Sequence, residues 1–468
     1  MTQTQWDGSD DWDGGMGQPV GQHFGQQAGR SPQGLGIGRR RMLLGALALG
    51  MGALGGCGRS PEQVLRLGAL SGTVPAHLPG AFRAFVQAFL RSQLDKPDQK
   101  VLKDAIGEGF RVAVAVQSLD SGTAIAETLL RLQAEAEGDV QGGLPGWVPL
   151  LGRRETVPAD LMLLGDRWLS MAQREQWIQP LEMELDQDAR GAIADDRWRA
   201  VMAGTGAAAD EESDEKAVWG MPYRWGTTVL VYRKDRLAEM GGPITDWGDL
   251  WRSQLRGKVV LLNQAREVIG AVLKEMGESY NAANLDDVAG LGDRLEALHR
   301  QALTYTNTDY LQPLLMGDAW VAMGWSRDVL PVLPRRSQLA AVVPRSGSAL
   351  WADLWVCPSG QSTASASAVP RGGGDGEKAL QQALRRAWVE FCWTPDIARR
   401  VTLQTSGASP QFLNGDWETL AKDQQGASGD RIRFPAVDVL DRCEFLLPLS
   451  DETRQQYQRL WSGLGQVT

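Results

Sequence analysis

Histidine is scarce in this sequence: His23, His77 and His299 are the three in 468 residues, and they are scattered. A zinc or catalytic site built on imidazoles is therefore not expected. Cysteine is nearly as rare. Cys57, Cys357, Cys392 and Cys443 form no CxxC pair and no metal-type spacing. With Cys57 set aside, an odd number remains, so at least one thiol is unpaired. A Cys357–Cys392 or a Cys392–Cys443 bridge stays open beside the plainer reading of three buried thiols. The chain has no GxSxG elbow, no HExxH and no Cys–His arrangement, which removes the commonest hydrolase signatures. Carboxylate pairs alone do not exclude a glycosidase, because their separation is invisible in sequence. Net charge is -9, the wrong sign for a nucleic-acid partner and mildly favourable to a cationic ligand. Tyrosine is low, at six, yet tryptophan reaches eighteen. Most of those indoles are expected in the core, with a few as stacking platforms.

Long apolar runs are absent as well. Residues 1–38 are rich in Gly, Gln, Asp and Ser and read as a disordered extension. Arg39-Arg40-Arg41 then precedes Met42-Leu43-Leu44 and an apolar stretch to Leu54. At about 13 residues this stretch falls short of the roughly 20 that span a bilayer. A basic start, a short apolar run and small residues at the end make residues 39–56 a signal peptide. The arginines before Met-Leu-Leu resemble a twin-arginine export signal, and Leu54-Gly55-Gly56-Cys57 resembles a bacterial lipobox. The expectation is a cell-envelope (periplasmic) protein whose Cys57 sulfur carries the lipid, with residues 57–62 as a tether. Two or more acyl chains hold a protein stably on a membrane face, which one alone does not.

Beyond the tether, short apolar runs alternate with helical patterns. Residues 64–70, 110–116 and 159–164 read as strands. Residues 78–94 and 121–135 read as helices, with a third running through Met171 and Trp177. Further helical patterns cover 285–303, 378–392 and 451–464. The alternation predicts an α/β fold with a mostly parallel sheet, whose ligands sit beyond the carboxyl ends of the strands. Residues 204–217 and 359–376 are low-complexity surface loops. Thr245 is a natural N-cap, after which Trp247, Leu250 and Trp251 share a packing face.

The middle of the chain carries a recognisable series. Trp219-Gly220-Met221-Pro222-Tyr223-Arg224-Trp225-Gly226-Thr227-Thr228 is followed by Pro243-Ile244-Thr245-Asp246-Trp247, by Leu255-Arg256-Gly257-Lys258-Val259 and by Gln264-Ala265-Arg266-Glu267-Val268. Met323-Gly324-Trp325-Ser326, Leu350-Trp351-Ala352-Asp353 and Thr394-Pro395-Asp396-Ile397-Ala398 continue it. This series resembles the spermidine/putrescine-binding proteins of ABC importers, within the extracellular solute-binding superfamily, over nearly all of the chain after Cys57. The resemblance implies a two-lobed periplasmic-binding-protein fold, type II-like, with the ligand cleft between the lobes; each α/β lobe is expected to have a mixed sheet, with two or three segments crossing between them. The first lobe would take 63–222 and 353–405, and the second 223–352 and 406–468. It implies a monomer that binds a polyamine without cofactor, metal or catalysis and delivers it to permease subunits in the membrane.

Matched to the family pattern, Glu267 is a ligand carboxylate, Trp325 a cleft indole, and Trp351 with Asp353 an aromatic–carboxylate pair on one strand face. The physical logic is ammonium on carboxylate and methylene on indole. The plainer alternatives are a salt bridge from Glu267 to Arg266 or Lys274, and core packing for both indoles. Several positions depart from the family. Gln264 stands where an Asp is usual, and of the first-strand loop only Thr73 aligns. Gly165-Asp166-Arg167-Trp168 replaces a Ser/Thr-Tyr loop, so Asp166 restores an acid while Arg167 repels a cation. Glu444 stands near a C-terminal polar contact. Three other functions stand beside this one: a receptor for an organic anion or amino-acid-like solute held by Arg167 or Arg327; an exported hydrolase, against which the missing motifs argue; and a scaffold whose cleft has lost its ligand along with the family acids.

Overall fold

In the computed structural model, described residues are 62–94, 100–106, 110–136, 159–181, 195–204, 217–238, 241–359, 375–413 and 430–465, with single positions 183, 191 and 193. The extension, the signal segment, Cys57 and most of both low-complexity loops lie outside them.

The strands are β1 (Glu62–Leu70), β2 (Arg111–Leu119), β3 (Leu161–Gly165), β4 (Ile178–Gln179), β5 (Met221–Arg233), β6 (Val259–Leu261), β7 (Ala302–Tyr305), β8 (Val321–Trp325), β9 (Leu339–Val342), β10 (Ala349–Pro358) and β11 (Glu444–Phe445). They form one sheet in the order β2-β1-β3-β10-β5-β8-β6-β7, with β4 and β11 paired to β10 and β9 paired to β5. The fold is α/β and the sheet is mixed, as expected for each lobe, although the alternation of runs alone suggests a mostly parallel one. β1 is parallel to β2 and β3, and β6 is parallel to β7 and β8. Every antiparallel pair among the described residues includes β5 or β10. These two long strands run between the halves, so they must oppose the strands on either side.

β5 serves both halves. Its first part pairs with β10, from Met221 opposite Trp355 to Thr227 opposite Leu350. From Thr228 onward it pairs with β8 and β9. All but its last residue are buried, so it reads as the continuous apolar run of an interior strand. A third crossing closes the waist: Trp225 and Ala408 exchange backbone hydrogen bonds, each 2.8 Å. The β5–β10 register slips between Asp353 and Leu354, a bulge that leaves Tyr223 without an opposite residue.

The helices used below are α1 (Leu78–Leu94), α2 (Gly122–Ala136), α3 (Asp166–Arg174), α4 (Ala265–Glu275), α5 (Asp375–Cys392) and α6 (Asp451–Ser462). α1 and α5 cover the first half with an aromatic column. Phe82 meets Trp388 at 5.1 Å, Trp388 meets Trp355 at 5.9 Å and Trp355 meets Tyr223 at 5.2 Å. This accounts for several of the abundant indoles as packing. α3 ends at Arg174, and left-handed Gln176 turns the chain before Trp177. The 285–303 pattern splits into a short turn at Leu285–Asp287 and a helix at Leu291–His299. The cap expected at Thr245 falls one residue later: Asp246 caps the Trp247–Trp251 turn and Asp249 returns the bond, completing a capping box. Cys357, Cys392 and Cys443 are buried, and none is joined in a disulfide. No described helix is long and apolar enough to cross a membrane.

Gly226 sits where the crossings touch. A Cβ there would lie 2.4 Å from Ser326 Oγ and 2.5 Å from the Trp351 ring. Gly226→Ala should lower stability by about 1–3 kcal/mol through overpacking. A urea midpoint unchanged from the parent would contradict this account of the waist.

Candidate functional site

Three strands end at the same place, and the residue types there are those that a loop beyond a strand terminus displays. β3 ends at Gly165 and turns straight into α3, which starts with Asp166 and Arg167. β6 leads through Asn263 and Gln264 into α4, whose first turn carries Arg266 and Glu267. β8 ends at Trp325, followed at once by Ser326 and Arg327. β10 passes beside them with Trp351 and Asp353 on one face.

These groups form a closed circuit of contacts. Glu267 is buried and accepts from Thr228 Oγ1 at 2.9 Å and from Trp325 Nε1 at 3.0 Å. Arg167 comes from the other half. Its Nη1 donates to Gln264 Oε1 at 3.3 Å and lies 3.8 Å from Glu267 Oε1, and its guanidinium sits 4.8 Å from the Trp325 ring centre. Arg327 spans both indoles, 5.0 Å from Trp325 and 5.2 Å from Trp351. Arg224 lies 5.8 Å from the Trp351 ring and donates from Nε to Asp353 Oδ2 at 2.7 Å. A second Arg224 donor reaches the Thr405 carbonyl. Asp353 stands opposite Gly165 in the β3–β10 register, which returns the circuit to Asp166.

Arg224 and Asp353 are both about 5% exposed. A pair so deeply buried gains little net stability, but removing one partner strands the other charge and costs about 3–5 kcal/mol. Asp353 is therefore part of the scaffold as well as the site. Burial pushes the Asp166 carboxyl up from 3.8 to about 7; neighbouring Arg167 opposes this and the charge of Asp353 adds to it. A cavity opens beside the circuit, walled by Asp166, Arg167 and Ser170 of α3, by Gln264 and Arg266, and by segment 446–449. Arg266 holds that segment in place: its Nη2 donates to Leu447 O at 2.8 Å and to Asn281 Oδ1 at 3.1 Å.

Of the residues picked out in the sequence, Glu267, Trp325, Trp351, Asp353, Asp166 and Gln264 come together. Thr73 is buried just past β1, the parallel neighbour of β3, and its side chain faces its own loop rather than the circuit. Its hydroxyl donates to Leu70 O at 2.7 Å, and its carbonyl accepts from Tyr223 OH at 2.9 Å. Glu444 bonds Lys274, Ser279 and Asn281, and reaches the cavity only indirectly, through Asn281 and Arg266. Lys274 thus pairs with Glu444, and the basic group nearest Glu267 is Arg167. Sequence reading missed Arg224 and Thr228. Their even spacing with Gly226 along β5 was the available signal, since it puts all three on one strand face. No cluster of three or more His, Cys, Asp or Glu among the described residues is suited to a metal.

Parallel outer strands, two long crossing strands and a charged circuit at the strand ends define a two-lobed solute-binding class. The family model described as bacterial extracellular solute-binding protein matches residues 108–369, more than half of the chain. The chain belongs to that family. It is 23% identical over 248 residues to the spermidine/putrescine-binding periplasmic protein of Escherichia coli, covering 52% of this chain and 64% of that protein. It is 23% identical over 270 residues to the putrescine/cadaverine-binding protein of Pseudomonas aeruginosa, covering 54% and 68%. The first match thus spans under two thirds of the relative's length. Among solved structures, a spermidine/putrescine ABC transporter substrate-binding protein from Streptococcus pneumoniae superposes with a TM-score of 0.55 at 17% identity, over 86% of this chain and 98% of that one. A cyclic alpha-maltosyl-1,6-maltose binding protein from Arthrobacter globiformis gives 0.52 at 12%, over 86% and 95%. At these identities the likeness is one of fold alone.

Asp166 gives a pH prediction. Its folded value of about 7 lies above the ordinary 3.8. The folded state holds this proton more tightly, so the contribution to stability is full below about pH 4 and lost as pH rises through 7. Asp166→Asn should flatten the fall in melting temperature across that window. An identical pH slope in parent and variant would rule the assignment out.

Proposed function

We propose that this chain is the solute receptor of an ABC importer. Tethered to a membrane face through lipid on Cys57, it closes two lobes on a small charged solute and delivers that solute to permease subunits. The lobes are the divisions expected from sequence, 63–222 with 353–405 and 223–352 with 406–468. The observation that carries the reading is Arg167. It leaves the half containing β3 and engages Gln264, Glu267 and Trp325 of the half containing β6 and β8. A guest placed at that junction would touch both halves at once, and binding of this kind shifts a hinged molecule toward its closed form. The work is binding and release, without bond chemistry.

A second reading concerns the guest. The relatives named for spermidine, putrescine and cadaverine favour a polyamine, and Glu267, Asp353, Trp325 and Trp351 are the groups such a cation would use. Against it, each carboxylate already faces an arginine of this chain.

The receptor reading is tested by thermal unfolding with putrescine, spermidine, amino acids and organic anions. A ligand present at 100 times its Kd stabilises the native state by about 2.7 kcal/mol. At least one solute should raise the melting temperature, and a flat response to all of them would defeat the reading. For the tether, Cys57→Ser should release the protein from the membrane to the soluble fraction. Continued membrane association would eliminate Cys57 as the anchor.

A further inference from the structure

The circuit contains three guanidiniums, and they are not equally satisfied. Arg224 is consumed by Asp353 and the Thr405 carbonyl. Arg327 makes no hydrogen bond to any described residue. Its nearest carboxylate oxygen is Asp328 Oδ1 at 3.8 Å, while the other oxygen of Asp328 accepts from Tyr310 OH at 2.7 Å. Among the described residues the Arg167 guanidinium makes one hydrogen bond, at 3.3 Å, and its acceptor is the neutral amide of Gln264. Both side chains keep about a quarter of their surface open, 23% for Arg167 and 27% for Arg327. A guanidinium has five donors in a planar fork shaped for an oxyanion. Here two such forks, one from each half, stand over the same Trp325 ring, both within 5.0 Å of its centre.

The carboxylates show the opposite condition. Both Glu267 oxygens accept neutral donors, from Thr228 and Trp325, and Arg167 lies beyond them. Asp353 is tied to Arg224 within the waist. The indoles are covered by guanidiniums where a polyamine's methylenes would stack. An incoming ammonium would meet like charge and would have to break buried ion pairs. α3 also points its positive N-terminal end at this junction, with Arg167 in the first turn.

Building on the receptor reading above, we infer that the cleft takes a small solute bearing an oxyanion, a carboxylate or a phosphate, gripped between Arg167 and Arg327 against Trp325. The oxyanion accepts from both forks, and the body of the solute extends into the cavity beside Ser170 and Gln264.

The test uses the full chain in thermal unfolding and titration calorimetry with succinate, inorganic phosphate and spermidine, each matched for ionic strength with sodium chloride. Succinate or phosphate should raise the melting temperature; which of them does so separates a carboxylate solute from a phosphate one. Arg167→Gln and Arg327→Gln should each weaken that anion roughly 10- to 100-fold. Arg327→Lys, which keeps charge but loses the fork, should fall between parent and Arg327→Gln. Arg300→Gln, a surface control paired with Glu296, should bind as the parent does, and circular dichroism should match across all variants. Stabilisation by spermidine with neither anion active overturns the sign of the solute and leaves the receptor standing. Anion binding that survives both glutamine variants moves the anion elsewhere and overturns the assignment. Silence from all three probes also overturns the anion assignment, and silence across the wider panel removes the receptor reading with it.

Discussion

The structure depends on β5 lying antiparallel to β10 through the middle of the molecule, with Arg224 and Asp353 locked together inside that pairing. Because β5 continues into the pairing with β8, a single strand fixes how the two halves face each other. The bulge at Tyr223 and the missing side chain at Gly226 shape this pairing. The first re-registers the strands beside the ion pair. The second makes room for an indole and a hydroxyl that a methyl group would displace.

From that constraint follows the chemistry of the junction. A buried carboxylate needs a partner, and the partners here come from the protein itself: a hydroxyl, an indole N–H and guanidiniums. Once these are in place, the Arg167 and Arg327 guanidiniums still have open donors at the junction. Under the anion inference proposed above, the acids and indoles matched to the family hold guanidiniums that face the solute. Distant likeness in fold and in a handful of matched positions is compatible with a change in preferred charge.

Much of this was legible in the chain itself. The alternation of apolar runs and helical periods gave α/β layering, and strand periodicity put Trp351 and Asp353 on one face. Their nearness to Glu267 and Trp325 followed only from family resemblance. Other features were not legible, for identifiable reasons. Arg224 sits between Tyr223 and Trp225 in a run that reads as core, and its partner lies 129 positions away. The bulge that turns both inward has no local signature. Asp246 and Thr245 are both good caps, and the choice fell to Asp246 because Asp249 can return its bond. The alternation by itself suggests a mostly parallel sheet; that the sheet is mixed, as expected for each lobe, comes from crossing strands that run counter to their neighbours, a property of topology rather than of any segment. Thr73 aligned in sequence, yet its hydroxyl turns to Leu70 of its own loop, and Glu444 is engaged by Lys274, Ser279 and Asn281 from far along the chain.

The strand order also bears on how the molecule is made. β3 finds its neighbour β10 only after nearly two hundred further residues have been joined, since Leu163 pairs with Trp355. During synthesis the early strands must wait with one flank unpaired, a condition that slows folding and invites association with other chains. A ribosome-bound fragment ending before residue 349 would hold β1, β2 and β3 yet lack the strand that joins them to the rest, so maturation belongs to the last quarter of translation or later.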